Sequence, residues 1–394
     1  MKQHIIIYTF ALASIFAPQL RADVYDDAAA AVFKGSPRLQ ELKQQSAAEI
    51  LSLKADNALA PLDLDFESLW SHDGEHRWSA GVSQSFDFPG AYRARAKERD
   101  AMLQASRMEI RANYISEVQL AYELLVEIAY CNKAITLEEK IVKDMTDMVT
   151  MLETSFKNGE ATILEVNRSK IELANCHISL RDYVERRHSA EVELIALGYN
   201  VANEDVNYPA STLLPLEQYL TAVNSDPTVQ YYIEQQSALN AGVKSRKLES
   251  MPGFSVGYVH SFEENTHFNG FSVSLSLPVY AAKNKINAAR ARADAAMWSI
   301  DAARIERESV ISVQYSAAQS NKELVDMLSP VFYQTDHLSL LNKAFKGGQI
   351  SAIEYLRETA YFHESERDFL DVEYQYKLSI VKLNTPLIDY GHIW

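Results

Sequence analysis

Residues 271–280 read "FSVSLSLPVY". Phe271, Val273, Leu275 and Leu277 alternate with Ser272, Ser274 and Ser276. Successive side chains of a strand point to opposite faces, so this segment shows hydrocarbon on one side and hydroxyls on the other. Three further segments share the pattern. In "PLDLDFESLW", Leu62, Leu64 and Phe66 oppose Asp63, Asp65 and Glu67. In "WSAGVSQSFDF", Trp78, Ala80, Val82, Phe86 and Phe88 oppose Ser79, Gly81, Ser83, Ser85 and Asp87. In "GFSVGYVHSF", Phe254, Val256, Tyr258 and Phe262 oppose Ser255, Gly257 and Ser261. The expected strands are 62–70, 78–88, 254–262 and 271–279. Each has the roughly 9–11 residues that a tilted strand needs to cross a bilayer. Trp70, Trp78, Phe262 and Phe271 fall at strand ends, where a membrane barrel carries its aromatic girdle.

A soluble sandwich alternates in the same way. Here, however, four strands form a poor sheet alone, and the rest of the chain is long helix with nothing left to cover the apolar face. Open sheet edges are not tolerated in lipid, so several copies must close one barrel together.

The chain is written twice, at a shift of about 189 residues. "SPRLQELKQQSA" from Ser36 matches "DPTVQYYIEQQSA" from Asp226, each a capping residue followed by Pro at the first helical position. "SFKNGEATILEV" from Ser155 matches "AFKGGQISAIEYL" from Ala344, pairing Phe156 with Phe345, Gly159 with Gly348 and Glu165 with Glu354. Each half runs short helix, two strands, very long helix, tight turn, helix. The long helices are expected over 91–155 and 280–345, about 100 Å each at 1.5 Å per residue. No compact domain buries such a rod, so a coiled coil or helical barrel is implied. Pro330 should kink or break the second rod. The first repeat is read as 23–198 with its tip at 156–161. A linker follows at 199–225, then the second repeat at 226–385 with its tip at 346–350, and a tail at 386–394.

The formal net charge of -15 over 394 residues leaves no basic surface for nucleic acid. The N-terminus, one Lys then an apolar run from Ile5 to Ala17, reads as a secretory signal peptide over 1–22. No later segment approaches 18 consecutive apolar residues, so a membrane would not be crossed by helices. Cys131 and Cys176 lie in helical segments about the turn at Gly159. Folding back there sets 131 opposite roughly 187, several turns from 176, so no disulfide is expected and both cysteines are read as small core residues. His72, Glu75, His76 and His267 sit in expected hairpin loops, "SHDGEH" at 71–76 and "EENTH" at 263–267, without the fixed spacing of a metal site; none is expected there. The sequence has no Walker loop, G-x-S-x-G, H-E-x-x-H or C-x-x-C, so neither catalysis nor a cofactor is expected.

With the duplication, strands and rods assembled, the chain resembles the TolC-type outer-membrane factor family. The segment "VSQSFDFPGAYRARA" at 82–96 is similar to that family's passage from strand to long helix, with Gln84, Pro89 and Gly90 at the junction. Its second-half counterpart is "LSLPVYAAKNKINAARA", with Pro278. The two turn motifs complete the resemblance, which covers nearly the whole mature chain. It implies a mostly α fold with a small β part. In it a homotrimer closes a twelve-stranded outer-membrane barrel, four strands per chain, continued by an α-helical coiled-coil barrel through the periplasm. It further implies a periplasmic adaptor (membrane fusion) protein meeting the tips at Phe156, Gly159, Thr162, Phe345, Gly348 and Ser351. An inner-membrane pump of the RND type would stand behind the adaptor, in a Gram-negative bacterium. Acidic residues narrow the family's tunnel mouth. Glu165 and Glu354 match the first acidic position, whereas Arg168 and Arg357 stand at the next. A salt link between Glu354 and Arg357, on one helix face at i, i+3, is therefore expected to hold this mouth shut.

The function implied is a passive exit duct of a tripartite efflux pump. The short strands and loops resemble the outer-membrane components of heavy-metal cation systems, with drugs and proteins as other cargoes. The competing reading is a non-transporting periplasmic coiled-coil adaptor or scaffold. Such a protein would carry one hairpin flanked by Gly-rich β domains, whereas two equal hairpins and four strands are present.

Overall fold

The computed structural model describes residues 23–72, 76–201, 204–263, 265–277, 282–334 and 337–388. The expected signal peptide, Glu75 and Pro278 lie outside them. The order is α1 (Asp23–Gly35), α2 (Pro37–Asp56), β1 (Leu62–Trp70), β2 (His76–Phe86), α3 (Pro89–Lys157) and α4 (Ile163–Ala196). The second half continues with α5 (Leu216–Ala222), α6 (Pro227–Glu249), β3 (Gly253–Glu263), β4 (Thr266–Ser276), α7 (Ala282–Gln334), α8 (His337–Lys346) and α9 (Ala352–Asn384). The chain is 75% helical. It forms two compact units, one from Met1–Pro37, Tyr114–Ala222 and Glu308–Trp394, the other from Arg38–Asn113 and Val223–Arg307. Each unit draws on both halves of the sequence.

The second unit contains the sheet, ordered β1-β2-β3-β4 with every pair antiparallel. Register places the alternation of all four strands in phase. Leu64 faces Val82, Val82 faces Tyr258 and Tyr258 faces Phe271, while on the other face Asp63, Ser83, Gly257 and Ser272 form a row. Gly257 is required there: a Cβ would lie 2.7 Å from Ser272 Oγ and 2.8 Å from Ser83 Cβ. The apolar face is bare. On the two edge strands Leu64 is 81% exposed, Phe66 74%, Phe271 87% and Val273 77%.

Several boundaries differ from expectation. β2 ends at Phe86, because Asp87 and Phe88 form the turn into α3. β4 starts at Thr266, since the hairpin turn needs only two residues and Asn265 takes the left-handed conformation there (φ 64°). Phe271 is consequently mid-strand, opposite Tyr258, and not at a girdle position. Over the described residues the second rod is covered by α7 and α8. Pro330 sits within α7, where it removes one backbone donor, and the described helix continues through it to Gln334. No helix among the described residues is long and apolar enough to cross a membrane.

The first unit is helical. Gly35 and Gly198 bring two segments into backbone contact, for a Cβ on Gly198, whose φ is 99°, would lie 2.9 Å from Gly35 Cα. Tyr25 and Tyr114 are buried and donate to the carbonyls of Asn207 and Ala29, each at 3.1 Å. Arg187 reaches Asn132 at 3.4 Å, which confirms the register about Gly159; Cys131 and Cys176 are both buried and free. Burial pushes the Cys131 thiol up to about 12, the signature of an inert core cysteine.

Helices α3 and α9 are clasped at four levels. Lys382 pairs with Glu123 (3.7 Å), Tyr130 donates to Asp371, Lys133 pairs with Glu373 (2.7 Å), and Arg367 grips Glu138 through two bonds, at 2.5 and 2.9 Å. Glu138 is completely buried, and Arg367 keeps 29% of its side chain exposed. Deleting one partner of a buried pair costs more than replacing both. Glu138→Leu should lower stability by about 3 kcal/mol, the low end for buried pairs because Arg367 retains some water. The double variant Glu138→Leu/Arg367→Met should recover at least half of that loss in detergent-phase melting.

Candidate functional site

Both helical tips have the same geometry, built by two local rules. At the first, Glu160 N–H donates to Ser155 O (2.8 Å) and Gly159 N–H to Phe156 O (3.0 Å). At the second, Gln349 N–H donates to Ala344 O (2.9 Å) and Gly348 N–H to Phe345 O (2.9 Å). These are the paired bonds of a Schellman helix end, which needs a left-handed residue. Gly159 and Gly348 supply it, with φ of 77° and 68°. Nothing lies within 4 Å of a Cβ added at either glycine, so backbone conformation alone selects the residue.

The next helix starts through a capping box. Thr162 Oγ1 accepts from Glu165 N–H (3.3 Å), and Glu165 Oε2 accepts from Thr162 N–H (2.6 Å). Ser351 and Glu354 repeat it, at 3.3 and 2.8 Å. The repeated acid six residues after each glycine thus has a structural cause. The N–H and hydroxyl of the capping residue hold both carboxyls below their ordinary value of 4.5. The expected salt link between Glu354 and Arg357 is not formed. Arg357 turns to Glu358 at 3.1 Å, and acts on Glu354 only through space, as the least of the influences on it. The capping box already occupies the Glu354 carboxylate, and the adjacent Glu358 is the open partner.

The tips differ in packing. Phe156 is exposed, whereas Phe345 packs at a tilt on Tyr355 (centroids 4.9 Å apart) against a core of Met145, Met148, Leu152, Val166 and Leu356. A cavity of about 360 Å³ opens beside this core, lined among others by Asp144, Asp147, Met148, Asn342, Phe345 and Tyr355. Its lining mixes apolar surface with both acidic and basic side chains, Lys140 and Lys346 among the latter. The turn residues are legible in the sequence; these flanking ones are not, because their convergence depends on how α3, α8 and α9 pack.

At the strand-to-helix junction, Gln84 donates to Ala60 O (2.6 Å), Pro89 opens α3, and a Cβ on Gly90 would lie 2.8 Å from the Phe88 ring. The residue that holds the junction is Arg95, which the sequence reading passed over. It pairs with Asp87 in the turn, with Glu249 at the end of α6 (3.6 Å), and donates to Asp56 O at the end of α2. Its guanidinium lies 4.9 Å over the Tyr92 ring. Its i, i+3 spacing from Tyr92 was the available signal. Among the described residues, no group of three or more His, Cys, Asp or Glu side chains could hold a metal ion.

No family model and no curated protein matches the sequence. Solved structures do. A structure of CusC, described for its transmembrane channel formation, superposes with a TM-score of 0.77 at 15% identity, covering 96% of this chain and 95% of that one. The Vibrio cholerae outer membrane protein VceC gives 0.73 at 14%, covering 92% and 95%. The Neisseria gonorrhoeae MtrE outer membrane channel gives 0.72 at 16%, covering 92% and 88%. The chain has the TolC-type outer-membrane channel fold. In that fold each chain gives four strands to a barrel, which accounts for a sheet with two open edges.

The tips yield two expectations. Gly159→Ala and Gly348→Ala should each cost about 1 kcal/mol of local stability, because alanine enters the left-handed region at a penalty; amide exchange through 155–160 or 344–349 should quicken about fivefold. A carboxylate with a lowered folded pKa stabilises fully above its unfolded value, and that contribution fades as pH falls through the folded one. Exchange at the starts of α4 and α9 should therefore quicken below pH 4.5, and this acid sensitivity should vanish in Thr162→Ala/Ser351→Ala.

Proposed function

We propose that the chain is the outer-membrane exit duct of a tripartite efflux pump, acting as a homotrimer that exports small solutes passively. One observation carries the reading. A four-stranded sheet has its apolar residues in register across one face, leaves that face exposed, and has unpaired backbone along β1 and β4. In lipid such edges must close, and three copies give twelve strands around a polar lumen lined by Asp63, Asp65, Ser79, Ser83, Ser255 and Ser272. The helical unit extends into the periplasm. Its tips, at Phe156, Gly159, Thr162, Phe345, Gly348 and Ser351, meet the hairpins of a periplasmic adaptor coupled to an inner-membrane pump of the RND type. Glu165, Glu354 and Arg357 ring the mouth, the two acids through their capping boxes. The cargo is a metal cation or a drug, selected upstream by the pump.

The native chain should fractionate with the outer membrane, migrate as a heat-labile trimer and give stepwise conductance in planar bilayers. A monomer recovered in osmotic-shock fluid without detergent would instead support the scaffold reading. Replacing Leu64 and Val273 by Arg, on the bare face of both edge strands, should abolish the trimer, because such a charge near the bilayer centre costs about 2–4 kcal/mol at each of six sites per trimer.

A further inference from the structure

The turn end of the β3–β4 hairpin carries a constellation that a conduit does not require. His260 and Asn269 are direct cross-strand partners, and His267 faces Phe262 two pairs nearer the turn, all at the turn end of the face that carries Tyr258 and Phe271. Asn269 Oδ1 lies 2.8 Å from His260 Nδ1 and also accepts from the Tyr258 hydroxyl at 2.6 Å. An amide oxygen only accepts, so His260 carries its hydrogen on Nδ1 and presents the bare lone pair of Nε2. That Nε2 is 3.2 Å from Nδ1 of His267, and the two rings stack at 5.2 Å and 25°. Trp78 (5.5 Å from the His260 ring) and Phe262 (4.9 Å from the His267 ring) flank the pair.

This separation is the bite of a metal chelate. Two metal–imidazole bonds of about 2.05 Å span about 2.9 Å at a right angle and about 3.3 Å at the tetrahedral angle. The observed 3.2 Å lies between them. The Asn269–His260 contact is the outer-shell arrangement that fixes tautomer and ring plane in metal sites. We propose that His260 Nε2 and His267 Nδ1 form a two-imidazole site for a first-row divalent transition-metal ion, with water at the remaining positions. Neutral imidazole ligation favours Cu²⁺ over Ni²⁺ and Zn²⁺. Binding needs no ionisation: without metal, His267 donates its Nδ1 hydrogen to His260 Nε2, and with metal that proton resides on His267 Nε2. The ion would staple β3 to β4 beside their turn. The sequence reading placed His267 in a loop; β4 beginning at Thr266 puts it on a strand and gives the pair its fixed geometry. The site needs only the hairpin and stands independently of the transport reading.

The test is Cu²⁺ titration of the tag-free mature protein in detergent, followed by calorimetry and electron paramagnetic resonance. The expected result is one high-affinity Cu²⁺ per chain with hyperfine coupling to two imidazole nitrogens. His267→Ala and His260→Ala should each weaken binding at least tenfold and leave one nitrogen, and Asn269→Leu should weaken it about tenfold through loss of orientation. His72→Ala/His76→Ala should bind as the parent does. Unchanged affinity in His267→Ala would overturn the proposal, as would parent protein binding copper no more tightly than His260→Ala/His267→Ala. Should His260→Ala misfold, the exposed His267→Ala decides alone.

Discussion

The structure depends on one constraint: a strand with alternating faces keeps its backbone groups satisfied only where another strand runs beside it. In water the exposed edges of β1 and β4 would bond solvent. In hydrocarbon they have no substitute, and each unpaired amide or carbonyl costs several kcal/mol. The bare face of Leu64, Phe66, Phe271 and Val273 calls for lipid, while the unpaired edges call for more strand. A closed barrel shared among copies answers both demands, and the polar row of Asp63, Ser83, Gly257 and Ser272 then faces inward. The glycine in that row lets neighbouring strands approach on the polar face, where a Cβ would meet Ser83 and Ser272.

The helical unit meets a different difficulty. Long rods joined by tight turns offer little cross-section for a core, and specificity of pairing has to come from points along their length. The α3–α9 clasps supply it through Lys382–Glu123, Tyr130–Asp371, Lys133–Glu373 and Arg367–Glu138. Such pairs contribute modestly to net stability, because desolvation offsets much of their attraction, but a slip of one turn would strand buried Glu138 without its partner. Aromatic rings fill the levels between, as where Tyr130 meets both Tyr183 and Tyr374.

Duplication leaves its clearest trace at the tips. Every backbone bond of the first turn recurs in the second, down to the left-handed glycine and the reciprocal capping box. The packing around the tips has diverged: Phe156 is open to solvent and Phe345 rests on Tyr355. Local hydrogen bonds constrain a few neighbouring residues and survive divergence. Side-chain packing answers to the other half of the molecule, which differs for each copy.

Much of this was legible in the order of residues. Alternation marked four strands, and Leu62–Trp70 was placed to the residue. Proline, glycine and capping residues marked where helices begin and end, since those conformations are decided by side chains within one turn. The turn at Gly159 even gave the correct level for Arg187 against Asn132. What remained hidden involved contacts far apart in the chain. The true start of β4, the anchoring by Arg95 and the meeting of His260 with His267 all depend on which backbone lies alongside. The acid after each glycine shows the limit well. Its recurrence is visible in the sequence; only the fold reveals the carboxylate folded back on its own helix start. Residue order alone determined the periodicity, the turns and the repeat, because these arise from interactions within a few residues. Tertiary structure decided register, ion-pair partners and the histidine bite, because a distance of 3.2 Å between two strands exists only once both are paired.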